Sequence, residues 1–429
     1  MRNLHIFCKL LVITGVSIEL STLSYRQGLP DIYISPIYWF LGGFLTVFGA
    51  IPLLVFKNES ENTENSTITP TSKAINIIGI LTLGTMWTAT YLKKTFYLHP
   101  SNPLESDVIP TIEILVRRVL SGEWVYGPIQ FPGWIVNNAY LTMQYLPFIP
   151  AEKLGLDYRW MAFAYFALVI FFWTKHLMLR SNVSYEILLK IWFAFYIIYL
   201  IHLHDYAVFA FSLELLDVAF YLVLALSFFH KDLRIKALGL LLCMLSRYAF
   251  VFWLPFYALS FWIECGKKDS LKIIGMVILG VVLLYVLPFM TKQPTLFFDG
   301  LKYYDKTAIG QWTDIPDWYK SVGKPYHLSR GLSTSIFFYD HWQGDIAAKL
   351  GAARLFHIIA CLGSVVLVGI TYWFARKREN FNYGGFLLLS LKFYLIFFYG
   401  FFYVPFSYLY LLPMCMSIPI VFKLKFIEK

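Results

Sequence analysis

The chain has 429 residues, of which 58% are apolar and only 14% charged, and its mean hydropathy is +0.61. Soluble domains carry about a quarter charged residues, so this composition excludes an ordinary soluble protein and indicates one that crosses a membrane repeatedly. The net charge of +10 is scattered in small clusters between apolar runs, which excludes the continuous basic stripe of a nucleic-acid binder and reads as topology information.

A hydrocarbon core about 30 Å thick needs roughly 20 apolar residues per helix, whereas a membrane barrel would show alternating segments of about 10. Candidate spans fall at 4–21, 32–56, 74–92, 160–178, 186–203, 208–229, 235–247, 249–264, 271–290, 355–375, 384–402 and 406–422. The expected fold is therefore an all-α polytopic membrane protein with about twelve transmembrane helices. The first run has a basic start but no small-residue cleavage site, so it reads as a retained helix. Residues 58–73 form a polar, low-complexity linker dividing two additional N-terminal helices, 1–57, from a core at 74–429. Asn58 and Asn65 match the glycosylation tripeptide, a chance match in so Asn- and Ser-rich a stretch.

Lys and Arg resist translocation, which orients the chain. With a cytoplasmic amino terminus, the inner connections collect Lys175, Arg180 and Lys190, then Lys231, Arg234 and Lys236, then Lys267, Lys268 and Lys272, then Arg376, Lys377 and Arg378, then Lys423, Lys425 and Lys429. Both termini are then cytoplasmic, and two long polar segments, 93–159 and 291–354, share the outer face. The five cysteines lie in or at the ends of apolar runs without a CxxC pair, so neither a disulfide framework nor a zinc site is expected.

The first outer segment gathers Glu105, Asp107, Glu113, Arg117 and Arg118 among Trp124, Tyr126, Trp134, Tyr140 and Tyr145. Ile112, Leu115, Val116, Val119 and Leu120 recur with helical spacing, which predicts an amphipathic helix along the interface with Asp107 at its mouth. Two readings of Asp107 stand side by side. It, or Ser106, caps that helix, or it is a carboxylate whose partial desolvation raises its basicity enough to take a proton from a hydroxyl. Arg247 interrupts an apolar run too long for one span and short for two, consistent with a helix pair that turns near the outer face. An arginine there requires an anionic partner: a lipid phosphate, a headgroup reached by snorkelling, or a carboxylate on another helix. A second such turn is marked by Pro405.

His202, His204 and Asp205 form a His-x-His-Asp cluster that suits either a metal or ordinary interfacial hydrogen bonds. Glu214 and Asp217 make the next helix top acidic and suited to line a cavity. The second outer segment offers His327 and Arg330 with several aspartates and aromatic rings, a composition that fits sugar stacking and fits an aromatic belt equally well. Glu105, Glu113, Tyr145, His204, Asp205, His327 and Arg330 are thus candidates for substrate contact.

This layout resembles the GT-C superfamily of membrane glycosyltransferases, and within it the bacterial, mannosyltransferase-like enzymes that use polyprenyl-phosphate sugars. The resemblance covers about residues 74–429 and two short motifs, Ser106-Asp107-Val108-Ile109-Pro110 in the first outer loop and Leu245-Ser246-Arg247-Tyr248 with Pro255 downstream. It implies an inverting glycosyltransferase of the bacterial inner membrane, acting on the outer face on a lipid, glycan or protein acceptor. It further implies Asp107 as the catalytic base and Arg247 as the residue that meets the donor phosphate. The loop lacks the adjacent acidic pair that some branches use with a divalent metal, so no cofactor or metal is expected. A polysaccharide polymerase, or a transporter or flippase of lipid or saccharide, is the competing reading, since Glu19, Glu214, Asp217 and Lys392 lie in or near spans.

Overall fold

The computed structural model describes residues 2–23, 29–56, 70–178 and 184–425; Asn58, Asn65, Arg180 and Lys429 lie outside the described residues. Among the described residues, seven helices are long and apolar enough to cross a membrane: Asn3–Ser21, Ile32–Leu54, Tyr158–Leu177, Tyr185–His204, Lys267–Met290, Ile346–Ala375 and Tyr383–Gly400. The chain is a multi-pass, all-α membrane protein. Its one described sheet is a hairpin of three-residue strands, Ile129–Phe131 and Trp134–Val136.

The other five expected spans take different forms. Residues 74–92 lie within the 29-residue helix Pro70–Leu98. The stretch 208–229 starts as Ala207–Ala210, breaks where Ser212 bonds back to the Val208 carbonyl at 2.6 Å, and resumes as Glu214–Ser227. The two spans on either side of Arg247 are twelve-residue helices, Leu233–Met244 and Leu254–Cys265. At 1.5 Å per residue each is about 18 Å long, well short of a hydrocarbon core. The last span runs in three pieces, Ser407–Tyr410, Leu411–Cys415 and Ser417–Lys423, with Pro413 and Pro419 inside the later two. Irregular backbone of this kind survives at membrane depth only when protein buries it; residues 212–227 and 409–422 are almost entirely buried, whereas Leu254–Cys265 leaves Leu259, Trp262 and Ile263 exposed. Glu214–Ser227 and Tyr383–Gly400 are buried on almost every face.

The first two helices pack by close backbone approach. A Cβ on Gly15 would lie 2.5 Å from the Thr46 amide nitrogen, and one on Gly42 would lie 2.7 Å from that of Glu19, the small-residue contact typical of helices in lipid. This pair is joined to the rest at three levels. Asn382 donates to the carbonyls of Leu54 and Val55 at one end. Lys392 meets Glu19 midway. Tyr33 donates to Asp340 at 2.6 Å at the other end, where Ile32 joins a small core with Trp312, Leu328 and Ile336.

Basic residues collect at one end of the bundle. There Lys190 donates to the Leu424 carbonyl, Lys236 to that of Ser227, and Lys423 lies over the Phe229 ring. Both long polar segments are at the opposite end, as their spacing predicts. Arg159, almost fully buried, fastens that end: it pairs with Asp157 and donates to the carbonyls of Phe96, His99 and Ala210. The second polar segment is shorter than expected, because Asp345 caps the 30-residue helix Ile346–Ala375 by accepting from the Ala348 amide at 2.9 Å.

Candidate functional site

The amphipathic helix forms as Val108–Ser121. Ile109, Ile112, Leu115 and Val116 are buried on one side, and Gly122 closes it in the left-handed conformation (φ 74°). Asp107 immediately precedes the helix, yet its side chain makes no capping bond. It is half buried, and the Trp134 side chain on the hairpin hydrogen bonds to it. Burial pushes the Asp107 carboxyl above the usual range, and its own backbone amide and Trp134 hold it part of the way back. Of the two readings open from sequence, capping is not what this carboxylate does.

Three local features carry Asp107 toward the bundle axis. Ser106 Oγ donates to the Phe211 carbonyl at 3.1 Å, tying the loop to the break that precedes Glu214. The Met143 amide donates to the Leu245 carbonyl at 2.9 Å, bringing the end of the first outer segment against the turn that bears Arg247. Tyr248 OH donates to the Ala139 carbonyl at 3.4 Å.

Because the helix at 214 starts inside the protein, Glu214 and Asp217 occupy its first turn, where the helix dipole favours carboxylates. Three residues apart, they share a face, and both meet Arg247. Nη2 pairs with Glu214, Nε donates to Asp217 Oδ2 at 3.3 Å, and Gln144 donates to the other oxygen of Asp217 at 2.6 Å. The anionic partner that Arg247 requires is therefore a pair of carboxylates on another helix. Its Nη1 makes no hydrogen bond among the described residues, and Glu214 Oε2 is buried without a partner.

The charges of Asp107 and Arg247 are felt by some of the same phenols. Tyr140 and Tyr408 each lie in the electrostatic field of both charges, and Tyr304 lies in that of Arg247. Burial raises the Tyr140 phenol, Asp107 and Asp217 add to that rise, and Arg247 opposes it, so Tyr140 stays a neutral hydrogen-bond donor. Two carboxylates hold the guanidinium, and Asp107, hydrogen-bonded to Trp134, acts through its charge on Tyr140 and Tyr408. Carboxylates accept hydrogen bonds from hydroxyls, and neutral phenols and a guanidinium donate them to an anion.

The remaining candidates are dispersed. Glu105 is exposed beside His99, 3.6 Å from Nδ1. Glu113 faces Arg117 at 3.7 Å on the far side of the helix, near the Arg117–Glu152 pair at 2.8 Å. Tyr145 is fully buried beneath the site, its hydroxyl 3.4 Å from that of Tyr126. His202 bonds Thr95 Oγ1 at 2.6 Å, and His204 and Asp205 are each engaged with neighbours. Among the described residues no group of three or more His, Cys, Asp or Glu side chains could hold a metal ion. His327 packs edge-on against Phe406, which stacks on Tyr408, and burial pushes its imidazole down to about 4. Arg330 is engaged with neighbours in the same segment.

Sequence reasoning noticed Trp134, Tyr140 and Tyr304 only as aromatic content and passed over Gln144 and Tyr408. No spacing signal links these residues, since they come from three separate segments of the chain. No family model, no curated protein and no solved structure matches the chain.

Proposed function

We propose that this protein is a membrane glycosyltransferase that moves a sugar from a polyprenyl-phosphate donor to a hydroxyl acceptor, with inversion at the anomeric carbon. The observation that supports this most directly is the placement of Asp107. It is a half-buried carboxylate at a helix start that it does not cap, and its charge acts on Tyr140 and Tyr408, on which Arg247 acts too. A carboxylate with raised basicity takes the proton of the acceptor hydroxyl as that oxygen attacks the anomeric carbon, and the bond from that carbon to the donor phosphate breaks. The departing phosphate meets Arg247 Nη1 and the donating phenols of Tyr140, Tyr304 and Tyr408, fixed dipoles aimed at the developing charge. Glu214 and Asp217 orient the guanidinium and, with Gln144, offer acceptors for sugar hydroxyls.

In this reading the basic end of the bundle faces the cytoplasm of a bacterial cell, both termini lie there, and the reaction occurs at the opposite face of the inner membrane. About twelve crossings then make up the chain, the short central helices counting as partial spans. The test is transfer by the purified full chain in lipid vesicles, with radiolabelled polyprenyl-phosphate sugars and a panel of acceptors. The expected result is a new glycosidic bond with the native chain and none with Asp107→Asn. Equal turnover by that variant removes Asp107 from its role. Flux of saccharide or lipid across the vesicle without bond formation favours a transporter, the reading to which the ionisable groups inside the bundle lend weight.

A further inference from the structure

At the basic end, far from the carboxylate–arginine cluster, two parallel helices separate. Leu233–Met244 and Lys267–Val281 touch where Gly280 meets Leu241, and a Cβ on Gly280 would lie 2.5 Å from a Leu241 methyl. Nearer the basic end the contact is lost: a Cβ on Gly275 would meet nothing within 4 Å. Between them lies a cleft of about 540 Å³. Leu233, Gly275, Met276 and Leu279 give it apolar walls, and Arg234, Lys272 and the helix-capping Asp232 complete its lining. The helix surface beside it, with Ile274, Ile278 and Leu279, is exposed and wholly apolar, as a face turned to lipid must be.

We infer that this cleft is a binding site for an anionic phospholipid, with the phosphate between Arg234 and Lys272 and an acyl chain along Leu233, Met276 and Leu279. Charge complementarity identifies the occupant. Both cations are paired only with exposed carboxylates of their own helices, Arg234 with Asp232 at 3.3 Å and Lys272 with Asp269 at 3.4 Å. Such surface pairs contribute little and are readily exchanged for a phosphate. Lys231, Lys267 and Lys268 nearby leave the region net positive, and basic residues gather at the leaflet richest in anionic lipid. A soluble phosphate would use the two cations but has no use for the apolar walls; a zwitterionic lipid would fill the cleft and gain nothing from the cations.

The experiment is native mass spectrometry of the full chain released from mixed micelles holding equal amounts of phosphatidylglycerol and phosphatidylcholine. Retained phosphatidylglycerol is expected in excess by about thirty-fold, the worth of two cations at an anionic headgroup. Arg234→Gln with Lys272→Gln brings the ratio near one. Gly275→Leu keeps every charge but fills the cleft, on an exposed helix position that tolerates leucine, and is expected to abolish retention as well. An unchanged ratio in the double variant, or full retention in Gly275→Leu, overturns the inference. Displacement of the lipid by soluble glycerol phosphate at equal concentration overturns it too, since the site would then read only phosphate.

Discussion

The pair Glu19–Lys392 tests whether the first helix is integral to the bundle. Neither side chain has more than 1% of its surface exposed; Lys392 lies at the middle of Tyr383–Gly400, and Glu19, in the last turn of Arg2–Ser21, is level with Gly42 and Gly43. Lys392 Nζ donates to both carboxylate oxygens at 2.7 and 2.8 Å, to the Pro413 carbonyl at 2.6 Å and to Ser417 Oγ at 3.2 Å; Ser417 in turn donates to Glu19 at 3.1 Å. The ammonium therefore satisfies a carbonyl that the break after Cys415 leaves without a helical donor. At 2.7 Å and an effective dielectric near 20, the Coulomb attraction is about 6 kcal/mol, most of it offset by the desolvation of both groups. Removing one partner strands the other, so Lys392→Met is expected to cost about 3–5 kcal/mol, and Glu19→Gln a similar amount. The double variant removes both charges and is expected to recover most of that loss, because an uncharged pair of similar volume has nothing left to desolvate. Unfolding by detergent titration in mixed micelles measures the three values. A cost below about 1 kcal/mol for Lys392→Met, the level of a surface pair, refutes the reasoning. So does a double variant whose loss equals the sum of the singles, since groups that act on each other cannot be additive.

Other outcomes follow from the site. Burial raises the Asp107 carboxyl, so its ionised form is disfavoured by the fold; Asp107→Asn is expected to be at least as stable as the native chain at neutral pH, and the difference closes as pH falls below the raised pKa and the native carboxyl protonates. Thermal melts at neutral and acid pH check this, and the same variant is expected to lose transfer by about 100-fold or more. Trp134→Phe keeps the ring but removes the donor that favours the ionised carboxylate, so the acid limb of a pH–rate profile shifts upward. Arg247→Lys keeps the charge but cannot reach Glu214 and Asp217 from two separate nitrogens; thermal melts are expected to show a loss of about 1–3 kcal/mol, and the transfer assay a loss of activity relative to the native chain. Arg118 donates to the carbonyls of Val125, Gly127 and Pro128, so Arg118→Ala is expected to open residues 122–128 to limited proteolysis while the helices stay intact.

How legible each feature was depended on whether its signal is local. The seven long spans were readable because hydropathy is summed over neighbours in sequence, and the sharing of one end by both polar segments was readable because basic clusters alternate with them. The helix at 108–121 was readable from its apolar spacing, with Val119 and Leu120 at its less buried end. The break in 208–229 and the pieces of 406–422 were not, because an apolar window cannot distinguish an unbroken helix from one interrupted inside protein, whereas the short pair turning at Arg247 was legible from the length of its apolar run. Arg247, Glu214 and Asp217 each drew attention singly, yet nothing in the sequence says that they are one another's partners, since their pairing depends on where a 14-residue helix begins.

That starting point also explains why the site stands where it does. If the chain at 207–227 ran as one uninterrupted helix, Glu214 and Asp217 would lie mid-helix, with their backbone amides consumed by internal hydrogen bonds and no dipole end to favour charge. The break at 211–213 places a helix start inside the bundle, and its carbonyl at Phe211 becomes the acceptor that anchors Ser106 beside Asp107. The same interruption thus fixes the carboxylates that hold Arg247 and the loop that carries Asp107. Two groups far apart in sequence are thereby held to one segment of backbone, and a substitution that repairs the helix, such as Ser212→Ala with Phe211→Leu, is expected to loosen both together.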